Sequence, residues 1–106
     1  MNTSIAQTKT SALAILREHQ TKIKSFGVTK LGLFGSFVRE EQRPDSDIDL
    51  LVEFQPDQKT FDNFIQLAFF LEDVLQQKVE LVTPESLSPF MKQTISTEVE
   101  YVSFTP

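Results

Sequence analysis

The run Asp47 to Phe54 (DIDLLVEF) constrains this chain more than any other stretch. Ile48, Leu50, Val52 and Phe54 alternate with Asp47, Asp49, Leu51 and Glu53, the period-two pattern of a strand with one face in a core. Slipping the register by one residue would bury two like charges and expose the apolar set. Asp47 and Asp49 are therefore expected side by side on the outward face, with Cα atoms roughly 6.5–7 Å apart. They repel each other there unless a cation sits between them.

The rest of the chain supplies what such a strand needs. From about Thr10 to Phe26, Ala12, Leu13, Ile15, Leu16, Ile23 and Phe26 share one helical face, and Gly27 is a stop signal. Val28 to Phe34 reads as a strand with Leu31 and Leu33 inward. Gly35-Ser36 is a turn, with a short helical turn over Phe37 to Glu41, and Gln42 to Ser46 is a loop. Thr60 to Gln77 is a strong helix, and Lys78 to Val82 a third strand with Glu80 pointing away from the core. Thr83-Pro84 and Ser88-Pro89 both look like helix starts. Val99 to Phe104 is expected as a final strand.

This order predicts an α+β fold, a small mixed sheet covered by helices on one side, with the other side free to carry something polar. A chain of 106 residues with 40% hydrophobic content is the size of one domain, expected over residues 10–106 after a loose polar lead-in at 1–9. With no cysteine, disulfides and thiolate metal sites are excluded. No apolar run approaches the ~20 residues that span a bilayer, and no signal-peptide pattern opens the chain. A cytoplasmic location is expected. The net charge of −5 disfavours direct nucleic-acid binding, which depends on Lys and Arg replacing counterions.

The chemistry gathers at a few positions. Asp47 and Asp49 can converge on magnesium, which takes one or two carboxylates plus water and phosphate oxygens. If the strand bearing Glu80 lies beside them, three carboxylates share one patch. That set supplies two metal ligands plus a third ligand or a base for an incoming hydroxyl. Gly35 lets the backbone approach a phosphate, the Ser36 hydroxyl adds a hydrogen bond, and Arg39 adds positive charge one turn later. Gly32, on the same strand face, leaves room for a bulky ligand. Taken singly, each feature is as well explained by a turn or a solvated surface; together they are not.

Gly35-Ser36, ten intervening residues and Asp47-Ile48-Asp49 resemble the GS-x10-DxD signature of the minimal nucleotidyltransferases, small members of the polymerase-β-like superfamily. LGLFGSFVREEQRPDSDIDLLVEF looks like that family's core, and KVELVTP like its later strand; the similarity spans roughly Phe26 to Val102. The resemblance implies a nucleotidyltransferase core and an antitoxin paired with a HEPN-domain toxin, an RNase. It further implies transfer of AMP from ATP, with Mg²⁺ (two ions), to a tyrosine hydroxyl of that toxin. Carried over, Asp47, Asp49 and Glu80 are the catalytic, metal-binding acids. Gly35, Ser36 and Arg39 bind the nucleotide. Two positions depart from the pattern: Glu40 stands where the family often has Gly, and Glu80 where Asp is frequent. The Arg-x4–6-His pattern of the toxin is absent from this chain.

Two further features carry expectations. His19, on the apolar face of the first helix, reads as a buried, hydrogen-bonded structural histidine. Apolar residues cover roughly two-thirds of the Thr60–Gln77 helix, where ≳100° suffices for a surface helix. The excess is either packed on two sides or an aromatic patch for a toxin or a second copy of the chain, with Phe69 and Phe70 the residues to test. An alternative function follows: a non-catalytic antitoxin that occludes its toxin through this Phe-rich helix.

Overall fold

A computed structural model describes residues 7–104. Five helices and four strands follow one another: α1 (Lys9–Glu18), α2 (Gln20–Ser25), β1 (Val28–Phe34), α3 (Ser36–Arg39), β2 (Ile48–Phe54), α4 (Phe61–Leu75), β3 (Val79–Val82), a 3-10 turn (Pro84–Ser86), α5 (Pro89–Glu98) and β4 (Glu100–Tyr101). The strands form one sheet in the order β3-β2-β1-β4. β1 runs antiparallel to both β2 and β4, whereas β2 and β3 are parallel. That parallel pair is joined by α4, the crossover such a pair requires.

The alternation on β2 is kept as the sequence dictates. Ile48, Leu50 and Val52 have no exposed surface and meet Leu31 and Leu33 of β1, Ala12, Leu16 and Ile23 of α1 and α2, and Leu67, Leu71 and Leu75 of α4. Burial of each such side chain is worth about 1.5–3 kcal/mol, so a one-residue slip of β2 alone would cost several times RT. The core fixes which face of β2 the acids occupy.

Local chemistry explains most boundaries. Thr8 caps α1 by accepting from Ser11 N–H, within a capping box; Thr60 caps α4 through Asn63 N–H, and Ser88 caps α5 through Met91 N–H. Thr83, by contrast, makes no side-chain cap, and the expected helix there is a single 3-10 turn. The first helix breaks at His19 instead of running to Phe26. His19 leaves helical geometry, its Nδ1 lies 2.9 Å from the Ile15 carbonyl oxygen, and its ring meets Phe70 edge-on at 5.9 Å. The break turns α2 so that Ile23 reaches the core. His19 thus has the hydrogen-bonded structural role expected of it, but half-buried at the helix break and not buried in the face of one long helix.

Of the lead-in expected at 1–9, residues 1–6 lie outside the described residues. Gln7 accepts a hydrogen bond from the Gln42 side chain at 2.9 Å, Thr8 is the cap, and Lys9 pairs with Glu100 at 2.9 Å. The last strand is shorter than expected, two residues rather than six. Among the described residues, no helix is long and apolar enough to cross a membrane.

The second face of the sheet is less open than alternation implied. Leu51, on the acid-bearing face, is only 6% exposed and shares a cavity of about 300 Å³ with Ile95, Leu87 and Tyr101 beneath α5. Gly32 does not make room for a ligand. A Cβ there would meet Val99 Cγ2 at 2.5 Å and Tyr101 Cδ1 at 3.0 Å, so the space is taken by the chain's own return into β4. Sequence alternation gave the face correctly but not the segment that folds over it.

Candidate active site

Strand register assembles the site. Phe34 of β1 is the partner of Asp49, which in turn is the partner of Glu80 on β3. Asp49 therefore stands between the Gly35 turn on one side and a second carboxylate on the other. Adjacent strands lie ~4.8 Å apart, which brings the two acids within reach of each other. Burial pushes the Asp49 carboxyl up to about 6, and Glu80, by charge and by hydrogen bond, pushes in the same direction. Asp47 adds a smaller push, and Arg39 opposes it.

Asp47 immediately precedes β2 and is exposed, beside a cavity of about 290 Å³ lined also by Pro44, Asp45, Ser46, Gln77 and Lys78. Among the described residues, no three His, Cys, Asp or Glu side chains are gathered closely enough to hold a metal ion by themselves. The expected cage of three carboxylates is thus not preformed: Asp49 and Glu80 are neighbours across β2 and β3, while Asp47 stands exposed ahead of β2. Hard oxygen donors from Asp49 and its neighbours nonetheless fit magnesium, which completes its shell with water and phosphate oxygens.

Gly35 has a structural requirement of its own. Its φ of +80° suits glycine, and a Cβ there would run into the Asp49 carboxylate. The turn can lie against Asp49 only because this side chain is missing. Ser36 opens α3, whose first N–H groups have no intrahelical acceptor. Its hydroxyl makes no hydrogen bond to another described residue. Glu40, at the end of α3, adopts the left-handed conformation (φ 59°, ψ 39°) that glycine tolerates best. The departure at this position keeps the turn and loads it with strain.

One acid escaped the sequence reading. Glu98, the last residue of α5, accepts the Gly35 N–H at 2.8 Å and pairs with Arg39 at 3.0 Å. Arg39 also binds Glu41 at 3.0 Å, and both carboxylates raise the guanidinium's proton affinity, Glu41 first. A signal was present: Glu98 is the only acid of α5 and sits at its C-terminus, where the helix dipole disfavours negative charge.

The aromatic residues of α4 divide. Phe69 is 65% exposed and Phe61 78%, whereas Phe70 packs against the core, its ring 6.0 Å from Phe26. Phe70 is removed from the expected patch, because its ring fills the angle left by the break at His19.

With this geometry in view, the comparisons with known proteins are specific. The nucleotidyltransferase domain family matches residues 15–102. Protein adenylyltransferase MntA of Thermococcus cleftensis is 40% identical over 90 residues, covering 84% of this chain and 90% of its own. Among solved structures, a toxin–antitoxin complex with AMP-PNP includes a chain that superposes with a TM-score of 0.66 at 26% identity, covering 84% of this chain and 73% of that one. The complex of tri-AMPylated HEPN toxin with MNT antitoxin from Shewanella oneidensis shares the fold, with a TM-score of 0.61 at 23% identity, covering 88% and 73%.

Proposed function

Because the chain belongs to the nucleotidyltransferase domain family, we propose that it transfers AMP from ATP to a hydroxyl, a tyrosine, of a partner HEPN-domain toxin, and so acts as the antitoxin. The observation that carries this reading is the register that sets Asp49 opposite Glu80 and against the Gly35 turn. Its similarity to a protein adenylyltransferase, and to a chain from a toxin–antitoxin complex, supports a protein acceptor and ATP as donor.

The chain's residues divide the work. Gly35, Ser36 and Arg39 bind and orient the triphosphate, so that the acceptor hydroxyl meets the α-phosphorus in line. The new bond joins the acceptor oxygen to that phosphorus, the bond to the bridging oxygen breaks, and pyrophosphate leaves. The hydroxyl proton passes to a carboxylate of the cluster. Asp47 and Asp49 would hold magnesium, with Glu80 completing the set once phosphate oxygens are present; the metal supplies charge neutralisation at the attacking and leaving oxygens.

The test is incubation with labelled ATP, Mg²⁺ and the toxin encoded beside the gene. Label and one AMP mass increment should appear on a toxin tyrosine, and Asp49→Asn should lower the rate by roughly 100-fold or more. Absence of transfer to any partner would reject the reading.

The exposure of Phe61 and Phe69 favours a second reading, neutralisation by occlusion alone. In that case Asp47→Asn and Asp49→Asn still neutralise the toxin and Phe69→Asp does not.

A further inference from the structure

Glu98 sits against the polarity of the helix that carries it. It closes α5, where a carboxylate meets the negative end of the helix dipole, yet its side chain is only 18% exposed. What holds it is on the other side: the Gly35 N–H at 2.8 Å and the Arg39 Nη1 at 3.0 and 3.2 Å from its two oxygens. These are two of the groups to which the proposed function gives the nucleotide phosphates. For an N–H and a guanidinium, a carboxylate oxygen and a phosphate oxygen are equivalent charge-assisted acceptors.

We propose that Glu98 is an internal stand-in for a nucleotide phosphate, which an incoming triphosphate must displace before Gly35 and Arg39 can bind it. The Gly35 N–H has one hydrogen to give, so a phosphate takes it only by displacing the carboxylate, and Asp49 adds a further acidic group beside it. Arg39 stays oriented when Glu98 leaves, because Glu41 grips its Nε independently at 3.0 Å.

The helix that carries Glu98 is loosely held. Ile95 is the only buried side chain of α5, and the cavity of about 300 Å³ lies beneath it. Ile95 lies in the same last turn as Glu98, so what gives way is the Glu98 side chain and not the helix end. Glu98 sets nucleotide affinity by competition.

This inference rests on the nucleotide-binding reading of Gly35 and Arg39, and the experiment separates the two. Calorimetric titration with Mg²⁺ and AMP-PNP would compare the unaltered protein with Glu98→Gln, Glu41→Gln and Arg39→Ala. Glu98→Gln keeps the shape and removes the competing charge, so it should bind roughly tenfold more tightly. Glu41→Gln removes the same charge from Arg39 but leaves Gly35 capped, and should stay within about threefold. Arg39→Ala should bind more weakly.

Weaker or unchanged binding by Glu98→Gln, with Arg39→Ala still impaired, overturns the stand-in and leaves the nucleotide site standing. An equal gain in Glu41→Gln also overturns it, by reducing the effect to net charge. No binding by any of the four overturns both readings. Carbon NMR of the Glu98 carboxyl in the unaltered chain needs no substitution: the signal should move on saturation with Mg²⁺ and AMP-PNP, and a fixed signal overturns the proposal.

Discussion

Asp49 on β2 lies directly opposite Glu80 on β3, and the Asp49 carboxyl, half-buried beside that second acid, rises to about 6. The parallel pairing that causes this brings together residues 31 positions apart in the chain.

The raised carboxyl makes the site pH-sensitive near neutrality. A carboxylate must be ionised to hold a divalent cation, so Mg²⁺ affinity and transfer rate should both fall as pH drops through about 6. Stability runs the other way. Since the folded-state value lies above the unfolded one, the stabilising contribution of Asp49 is complete below the ordinary carboxylate range and is lost as pH rises through about 6. In metal-free buffer, Asp49→Asn should gain thermal stability over the parent at pH 7, and the gain should vanish by pH 4. Paired melting curves at the two pH values check the sign.

Gly35→Ala should cost stability and activity together. The new Cβ meets the Asp49 carboxylate, and the backbone at φ +80° is strained for alanine. A loss of about 1–3 kcal/mol is expected, read from denaturant midpoints. Adding Asp49→Ala should recover part of that loss by removing the colliding oxygen, whereas activity stays absent.

Glu40→Gly should stabilise the fold. Glu40 is held at φ 59°, a conformation that costs an L residue about 1 kcal/mol and glycine little. For a chain of this size each kcal/mol raises Tm by roughly 4–8 °C. Differential scanning calorimetry would show the rise; Glu40→Ala should not reproduce it.

Phe69 and Phe70 should behave oppositely despite being neighbours. Phe70→Ala removes a ring packed against Phe26 and His19 and should cost about 2 kcal/mol of folding stability. Phe69→Ala, at 65% exposure, should change stability by no more than about 0.5 kcal/mol. Chemical denaturation of the two variants in parallel decides the matter.

How much of this was legible in the sequence follows the range of the interactions. The alternation in DIDLLVEF placed the acids outside and the core inside, because hydrophobic burial acts on every second residue of a strand wherever that strand lies. The cap at Ser88 was equally local, satisfied within three residues. Gly35-Ser36 announced a turn, and the resemblance to the nucleotidyltransferases said what such a turn is for.

Only the tertiary structure decided the rest. That Glu80 faces Asp49 depends on which strands pair and in what register, and alternation alone leaves that open. Gly32 looked like an opening until the chain's return placed Val99 and Tyr101 on it. Phe69 and Phe70 look alike in sequence, and it took the turn at His19 to pack one of them against the core. Glu98 reached Gly35 across 63 residues, drawn by two donors that no periodicity reveals. Short-range patterning determined which way each side chain faces. Long-range packing determined what it faces, because a contact between distant segments is chosen by the whole core and not by the residues on either side of it.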